Sequence, residues 1–129
     1  MTWSYKTTDE FDGWVESLDL AERIEVAALL DALTRLGPLL GRPHADTLGG
    51  SAYANMKELR GKTPAAVLRI AFAFDSERIA QILCGGNKKG VGQKVFYRRL
   101  IDRADKLYGR HIESLSARKK KEKQAKRGR

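Results

Sequence analysis

Residues 66–75 read Ala-Val-Leu-Arg-Ile-Ala-Phe-Ala-Phe-Asp. Successive side chains of a strand point to opposite faces, so Leu68, Ile70, Phe72 and Phe74 share one face and Val67, Arg69, Ala71 and Ala73 the other. The large apolar face predicts a strand packed on helices. Working outward, residues 54–60 read as a strand that precedes it across the turn Gly61-Lys-Thr-Pro64. Residues 79–84 read as a third strand, reached through a turn at 75–78. These three make an antiparallel meander. Residues 37–51, with Gly37, Pro38, Gly41, Pro43, Gly49 and Gly50, read as a long loop before it.

Further out the period changes from two to about 3.6. Thr7 and Glu10 have capping-box spacing ahead of Phe11, Trp14, Val15 and Leu18. Asp19 and Glu22 repeat the signal ahead of Leu20, Ile24, Ala27, Leu30, Leu33 and Leu36, a stripe widened by Val26 and Leu29. Gly37-Pro38 ends this helix, so an N-terminal helical hairpin is expected. Residues 3–5 alternate and suggest a short starting strand. After the meander, residues 85–92 form a glycine-rich loop carrying Lys88 and Lys89. A last helix over about 94–115 follows. Tyr97, Ile101, Ala104, Tyr108, His111 and Leu115 lie on one stripe of it. The order β-α-α-β-β-β-α describes a small α+β domain: an antiparallel sheet flanked by a helical hairpin and a C-terminal helix.

Lys and Arg number 25 against 16 Asp and Glu, a net charge of +9, and the excess is uneven. Residues 1–37 carry eight acidic and three basic side chains, whereas residues 117–129 carry eight basic and one acidic. That last stretch has no large apolar residue, so the domain is expected to span 1–116 and the tail to be disordered. Such a tail either attracts a polyanion or serves as a solvated end. The chain's 129 residues fit one core. No apolar run approaches the ~20 residues of a membrane span, and no leader pattern is visible. One cysteine, Cys84, rules out an internal disulfide or a four-cysteine zinc site. A cytoplasmic protein is expected, not a secreted mini-protein, a membrane protein or a wholly disordered chain.

Arg69 is the one charge on the small face of the central strand, and small neighbours leave room for a ligand. A guanidinium suits phosphate; the alternative is an exposed, solubilising arginine. Arg60 beside Arg69 across the hairpin would form a two-guanidinium clamp, with Glu58, on the same face as Arg60, as orienting ion partner. Lys57 fits that clamp less well on parity. Lys88 and Lys89 sit where glycines let a backbone approach a phosphate, or else in a merely flexible loop. His44 and His111 lack metal-ligand spacing. His111 is either packed on its stripe or a proton-transfer group. Cys84 in an apolar strand reads as inert core. No serine, cysteine or paired-carboxylate arrangement points to hydrolysis of esters, peptides or glycosides. No metal and no cofactor are expected.

Met56-Lys-Glu-Leu-Arg60, Leu68-Arg-Ile-Ala-Phe72, Ile82-Leu-Cys-Gly-Gly-Asn-Lys88 and the run Phe96-Tyr-Arg-Arg-Leu-Ile-Asp-Arg-Ala-Asp-Lys-Leu-Tyr-Gly-Arg-His111 together resemble the phage-associated, HigB-like branch of the RelE/ParE toxin superfamily. The resemblance covers roughly residues 3–115. It implies a RelE-like fold and a toxin of a type II toxin–antitoxin module that cuts mRNA on the ribosome. It also implies metal-independent attack of a ribose 2′-hydroxyl on the adjacent phosphate, giving a 2′,3′-cyclic phosphate and a 5′-hydroxyl. By that analogy Arg60 and Arg69 hold the phosphate, and Lys88 or Lys89 stabilises charge or protonates the leaving oxygen. The base is Glu58 or His111. Lys57, Lys62, Arg118, Lys119, Lys120 and Lys121 are the expected RNA-binding side chains. A helix-turn-helix antitoxin is the implied partner, docking on the hairpin (Phe11, Trp14, Leu18, Leu33) or on the last helix (Tyr97, Tyr108, His111). A non-catalytic reading on the same fold, a gyrase inhibitor or an RNA-binding module, stays open. An endonuclease needs Arg60, Arg69 and a loop lysine to converge on one phosphate-sized cleft; a binder can spread them over a face.

Overall fold

A computed structural model describes residues 2–127, which hold five strands and three α-helices. β1 (Tyr5–Thr7) leads into α1 (Asp9–Glu16) and α2 (Leu20–Leu36). β2 (Ala45–Thr47), β3 (Lys57–Thr63), β4 (Ala66–Phe74) and β5 (Ala80–Asn87) follow, and α3 (Gln93–Arg127) comes last. The strands lie in the order β1-β5-β4-β3-β2. The α+β architecture expected from the pattern is the observed one, but the sheet is mixed. β1 pairs parallel to β5, while β2 to β5 are antiparallel neighbours. A parallel pair needs a long crossover, which the α1–α2 hairpin begins to supply.

Local turn signals gave way to the ladder at three places. Residues 45–47 of the expected loop pair with β3 as β2, Ala45 opposite Leu59. Gly61, Lys62 and Thr63 belong to β3, Gly61 opposite Leu68. Gly85, Gly86 and Asn87 extend β5. In each case pairing with a neighbouring strand satisfies backbone groups that a free loop would leave to water. The two glycines of β5 are required by close helix packing: a Cβ on Gly85 would stand 2.5 Å from Trp14 Cζ3, and one on Gly86 3.0 Å from Phe96 Cε2.

Helix starts follow capping chemistry. Asp19 and Glu22 form the expected capping box on α2, with bonds of 2.8 and 3.0 Å. α1 is capped by Thr8 rather than Thr7; its Oγ1 accepts from the Phe11 N–H at 3.0 Å.

Both faces of the sheet are covered. On one, Leu59, Leu68, Ile70, Phe72 and Ile82 pack against Phe11 of α1 and Val26, Leu29 and Leu33 of α2. On the other, Ala71, Ala73, Leu83 and Cys84 pack against Phe96, Leu100, Ala104 and Tyr108 of α3. A bulge where Ala71 and Phe72 oppose Cys84 and Ile82 puts Leu83 and Cys84 on the same side. Ala71 and Ala73 are small because α3 lies on them, which corrects the expectation that they make room for a ligand. Burial pushes the Cys84 thiol up to about 12, so it stays protonated core.

The α2 stripe is only half buried. Leu20 is 74% and Ile24 61% exposed, because this helix is apolar on more sides than the sheet can cover. Phe11 and Leu33 are core, and Trp14 and Leu18 pack against it, so these four do not present a free docking face. Residues 117–127, expected as a disordered tail, continue α3 as exposed helix. Ala, Lys, Arg, Gln and Glu are strong helix formers, and extending an existing helix avoids the cost of a nucleus. Residues 128–129 of that tail lie outside the described residues. No helix among the described residues is long and apolar enough to cross a membrane.

Candidate functional site

β3 and β4 set Arg60 directly opposite Arg69 and Glu58 directly opposite Ala71. Their side chains share the sheet face that α3 covers, near the start of that helix. Arg69 and Glu58 are buried, at 7% and 4% exposure, whereas Arg60 keeps a third of its side chain in solvent. One Glu58 oxygen accepts from Arg60 Nη1 at 3.2 Å. The other accepts the Tyr97 hydroxyl at 2.9 Å and lies 3.5 Å from Arg69 Nε. Arg69 Nε in turn donates to the Tyr97 oxygen at 3.1 Å, and its Nη1 donates to the Leu68 carbonyl at 2.9 Å.

Burying ions in this way seldom adds stability over an apolar core. What it does is fix direction. Each guanidinium is aimed by Glu58, Tyr97 or backbone, so little ordering remains to be done when an anion arrives. Tyr97 sits at the junction. Burial raises its phenol above the ordinary value, Arg69 pulls it down, and the adjacent Glu58 adds to the rise. It is therefore a neutral donor to Glu58. The sequence reading placed Tyr97 on a packing and partner stripe; its role here depends on the first turn of α3 lying over Arg69, which no local pattern encodes.

Lys88 joins the cluster. Its ammonium is 5.5 Å from the centre of the Tyr97 ring, a favourable cation–π placement. Its backbone N–H donates to the Val67 carbonyl at 2.7 Å. Lys89 turns to the β3–β4 connection, where its Nζ donates to the Pro64 carbonyl at 3.2 Å. Arg60, Lys62 and Arg69 border one open cleft of roughly 390 Å³, together with Glu25, Pro43, His44, Gly61 and Val67. Positive groups outnumber the carboxylates around this space.

The remaining sequence candidates lie elsewhere. Lys57 points to the opposite face, its Nζ 3.4 Å from the Pro38 carbonyl. His111 is fourteen residues beyond Tyr97, about 21 Å along α3, and its Nε2 is 2.8 Å from the Asp75 carboxylate. That carboxylate also accepts from Gln81 and from the Ile79 and Glu77 backbone N–H groups. Burial pushes the Asp75 carboxyl up, but these hydrogen bonds outweigh it and hold the carboxyl below its usual value. Arg118 pairs with Glu77, and Lys119 donates to Ser76 Oγ at 3.3 Å, both at the β4–β5 turn. Lys120 and Lys121 are exposed on the same helix. Among the described residues, no group of three or more His, Cys, Asp and Glu side chains is arranged to hold a metal ion.

The chain has relatives among known sequences. The family model for phage-derived Gp49-like proteins matches residues 13–109, a span that holds Glu58, Arg60, Arg69, Lys88 and Tyr97. A Mycobacterium tuberculosis protein named as toxin HigB2 is 36% identical over 121 residues, covering 93% of this chain and 60% of HigB2. Another from the same organism, named as toxin HigB3, is 42% identical over 82 residues, covering 63% of this chain and 69% of HigB3. The chain thus spans less than two thirds of the first relative's length.

Proposed function

The chain belongs to the Gp49-like family of phage-derived proteins and is HigB-like in sequence, and we propose that it is a toxin of a type II toxin–antitoxin module acting as an endoribonuclease on mRNA at the ribosome. One observation carries this reading: Arg60 and Arg69 border a single cleft, while Lys88, outside the lining of that cleft, lies next to it over the Tyr97 ring that holds Arg69. A binder has no need of two guanidiniums fixed on one cleft. The two relatives both carry toxin names, which supports the biological class.

In the proposed reaction the scissile phosphate sits against Arg60 and Arg69. The ribose 2′-oxygen attacks phosphorus, the bond to the 5′-oxygen breaks, and the products are a 2′,3′-cyclic phosphate and a 5′-hydroxyl. Charge builds on the non-bridging oxygens, where fixed guanidinium donors act without reorganising. Lys88 gives its proton to the departing 5′-oxygen. Glu58 aims the arginines rather than taking a proton, because both its oxygens are already engaged. The cations of the cleft supply the charge stabilisation, and no metal takes part. The protein works in the cytoplasm and is held inactive by a helix-turn-helix antitoxin.

Induction in bacteria followed by mapping of RNA 5′ ends tests this. New 5′-hydroxyl ends inside translated messages are expected, and cleavage by purified protein on ribosomes should persist with EDTA. Growth arrest without new ends would favour the non-catalytic reading.

A further inference from the structure

The cleft contains a histidine that the sequence reading set aside. The β2–β3 ladder runs Ala45 opposite Leu59, and it continues by one bond, the Arg60 N–H donating to the His44 carbonyl at 2.8 Å. His44 therefore stands opposite Arg60, Arg60 opposite Arg69, and Arg69 opposite Gly86. Directly opposed residues of antiparallel strands put their side chains on one face, with Cβ atoms about 4.5–5.5 Å apart. Arg60 and Arg69 thus share one face, His44 continues their row from the turn just ahead of β2, and all three border the same cleft. Lys88 lies past the far end of the row, two residues beyond Gly86.

The backbone under His44 is fixed. Its N–H and that of Ala45 both donate to the Gly41 carbonyl, at 3.1 and 3.0 Å. Ala45 is buried, and Arg42 grips the Asp46 carboxylate at 2.7 Å. The imidazole itself is exposed. The charged groups around it are Glu25 of α2, Arg60 and Lys62 of β3, Arg69 of β4, and Arg42 and Asp46 of its own segment.

We propose that His44 is the general base of the RNA-cleaving reaction, an inference that rests on the endoribonuclease reading. In-line displacement needs the base and the acid on opposite sides of the phosphate. Three strand spacings, about 14 Å of backbone, separate the His44 segment from β5, with Arg60 and Arg69 between. An unprotonated ring nitrogen of His44 takes the proton of the ribose 2′-hydroxyl as the 2′-oxygen bonds to phosphorus. The bond from phosphorus to the 5′-oxygen breaks, and that oxygen receives the Lys88 proton. Solvent then restores both groups. Neither Glu58, with both oxygens engaged, nor His111, at the other end of the sheet, can fill this place.

The test compares wild type, His44→Gln, His44→Ala and Arg69→Lys in ribosome-dependent cleavage of one message across a pH series. His44→Gln should lose about 10²–10⁴-fold in kcat, with KM little changed. It should also lose the limb on which the rate rises as pH rises. Added imidazole should restore part of the His44→Ala rate, a rescue that a purely structural role would not give. Should His44→Gln fold poorly, the rescue of His44→Ala decides alone. Wild-type rate and pH profile in His44→Gln, or a KM-only effect, would overturn the inference. If wild type cleaves and Arg69→Lys is impaired while His44→Gln matches wild type, only this inference falls. If wild type does not cleave at all, the endoribonuclease reading falls first.

Discussion

The two ends of the β4–α3 interface each hold a buried carboxylate ringed by donors, and they differ in what is left over. At one end Asp75 accepts from His111, Gln81 and two backbone N–H groups, and Arg118 and Lys119 tie α3 to the neighbouring turn. Its donors are all internal to the fold, and although Asp75 borders a cleft of its own, of roughly 540 Å³, its carboxylate is fully matched by those partners. At the other end Glu58 faces two arginines and a tyrosine, and the surplus positive charge borders an open cleft. The same device, a carboxylate collecting donors, locks a helix in one place and aims cations in the other. The difference lies in charge balance rather than in access or residue type. A site is recognised by the valence it leaves unused.

The largest effect is expected at the open end. Arg69→Lys keeps a charge but loses the planar fork held by Tyr97, Glu58 and the Leu68 carbonyl. Cleavage of mRNA should fall about 10²–10³-fold, and growth arrest on induction should disappear, while circular dichroism still reports a folded domain. A soluble Arg69→Lys protein that arrests growth as wild type does would erase the contrast between the ends.

The Asp75 end should answer in stability instead. Asp75→Ala leaves the donors of His111, Gln81 and the turn without their acceptor, a loss of about 1–3 kcal/mol. Melting temperature should drop by several degrees at pH 7, with cleavage per folded molecule unchanged. The Asp75 carboxyl is held below its usual value, so its contribution is complete above the ordinary carboxylate range near pH 4. It is lost as pH falls through the lower folded value. Melts of the two proteins should therefore converge in acid. A gap that stays constant as the pH is lowered, down to the acid unfolding of the wild type, would mean the residue acts by packing alone.

The smallest effect belongs to the helix that leaves the Asp75 end. Replacing Lys120, Lys123 and Lys126 with Gln should weaken RNA or ribosome association and make the salt slope shallower by roughly 0.7–0.9 per lost phosphate contact. The fold should not change, since these side chains are exposed. An unchanged slope would mark this part of α3 as a solubility device.

Much of this is legible in the sequence alone. The parity of residues 66–74 separates the two faces of β4, because a strand's period of two is a covalent consequence of its geometry. The Asp19–Glu22 cap and the α3 stripe likewise follow from spacing alone. The opposition of Arg60 to Arg69 followed from a tight connection between two strands of matched phase. Residue parity could also say that Glu58 belongs with Arg60 and Lys57 does not.

What only the tertiary structure decided is everything that depends on a partner distant in the chain. Gly85 and Gly86 read locally as a loop and are strand, because Trp14 and Phe96 press on them from the two faces. β1 joins β5 across more than seventy residues. Tyr97 and His111 share one helical stripe in the sequence, yet α3 delivers them to opposite clusters. His44 is placed opposite Arg60 by a three-residue strand with no pattern of its own. Periodicity reports which side of an element a residue occupies; only packing says what lies against that side.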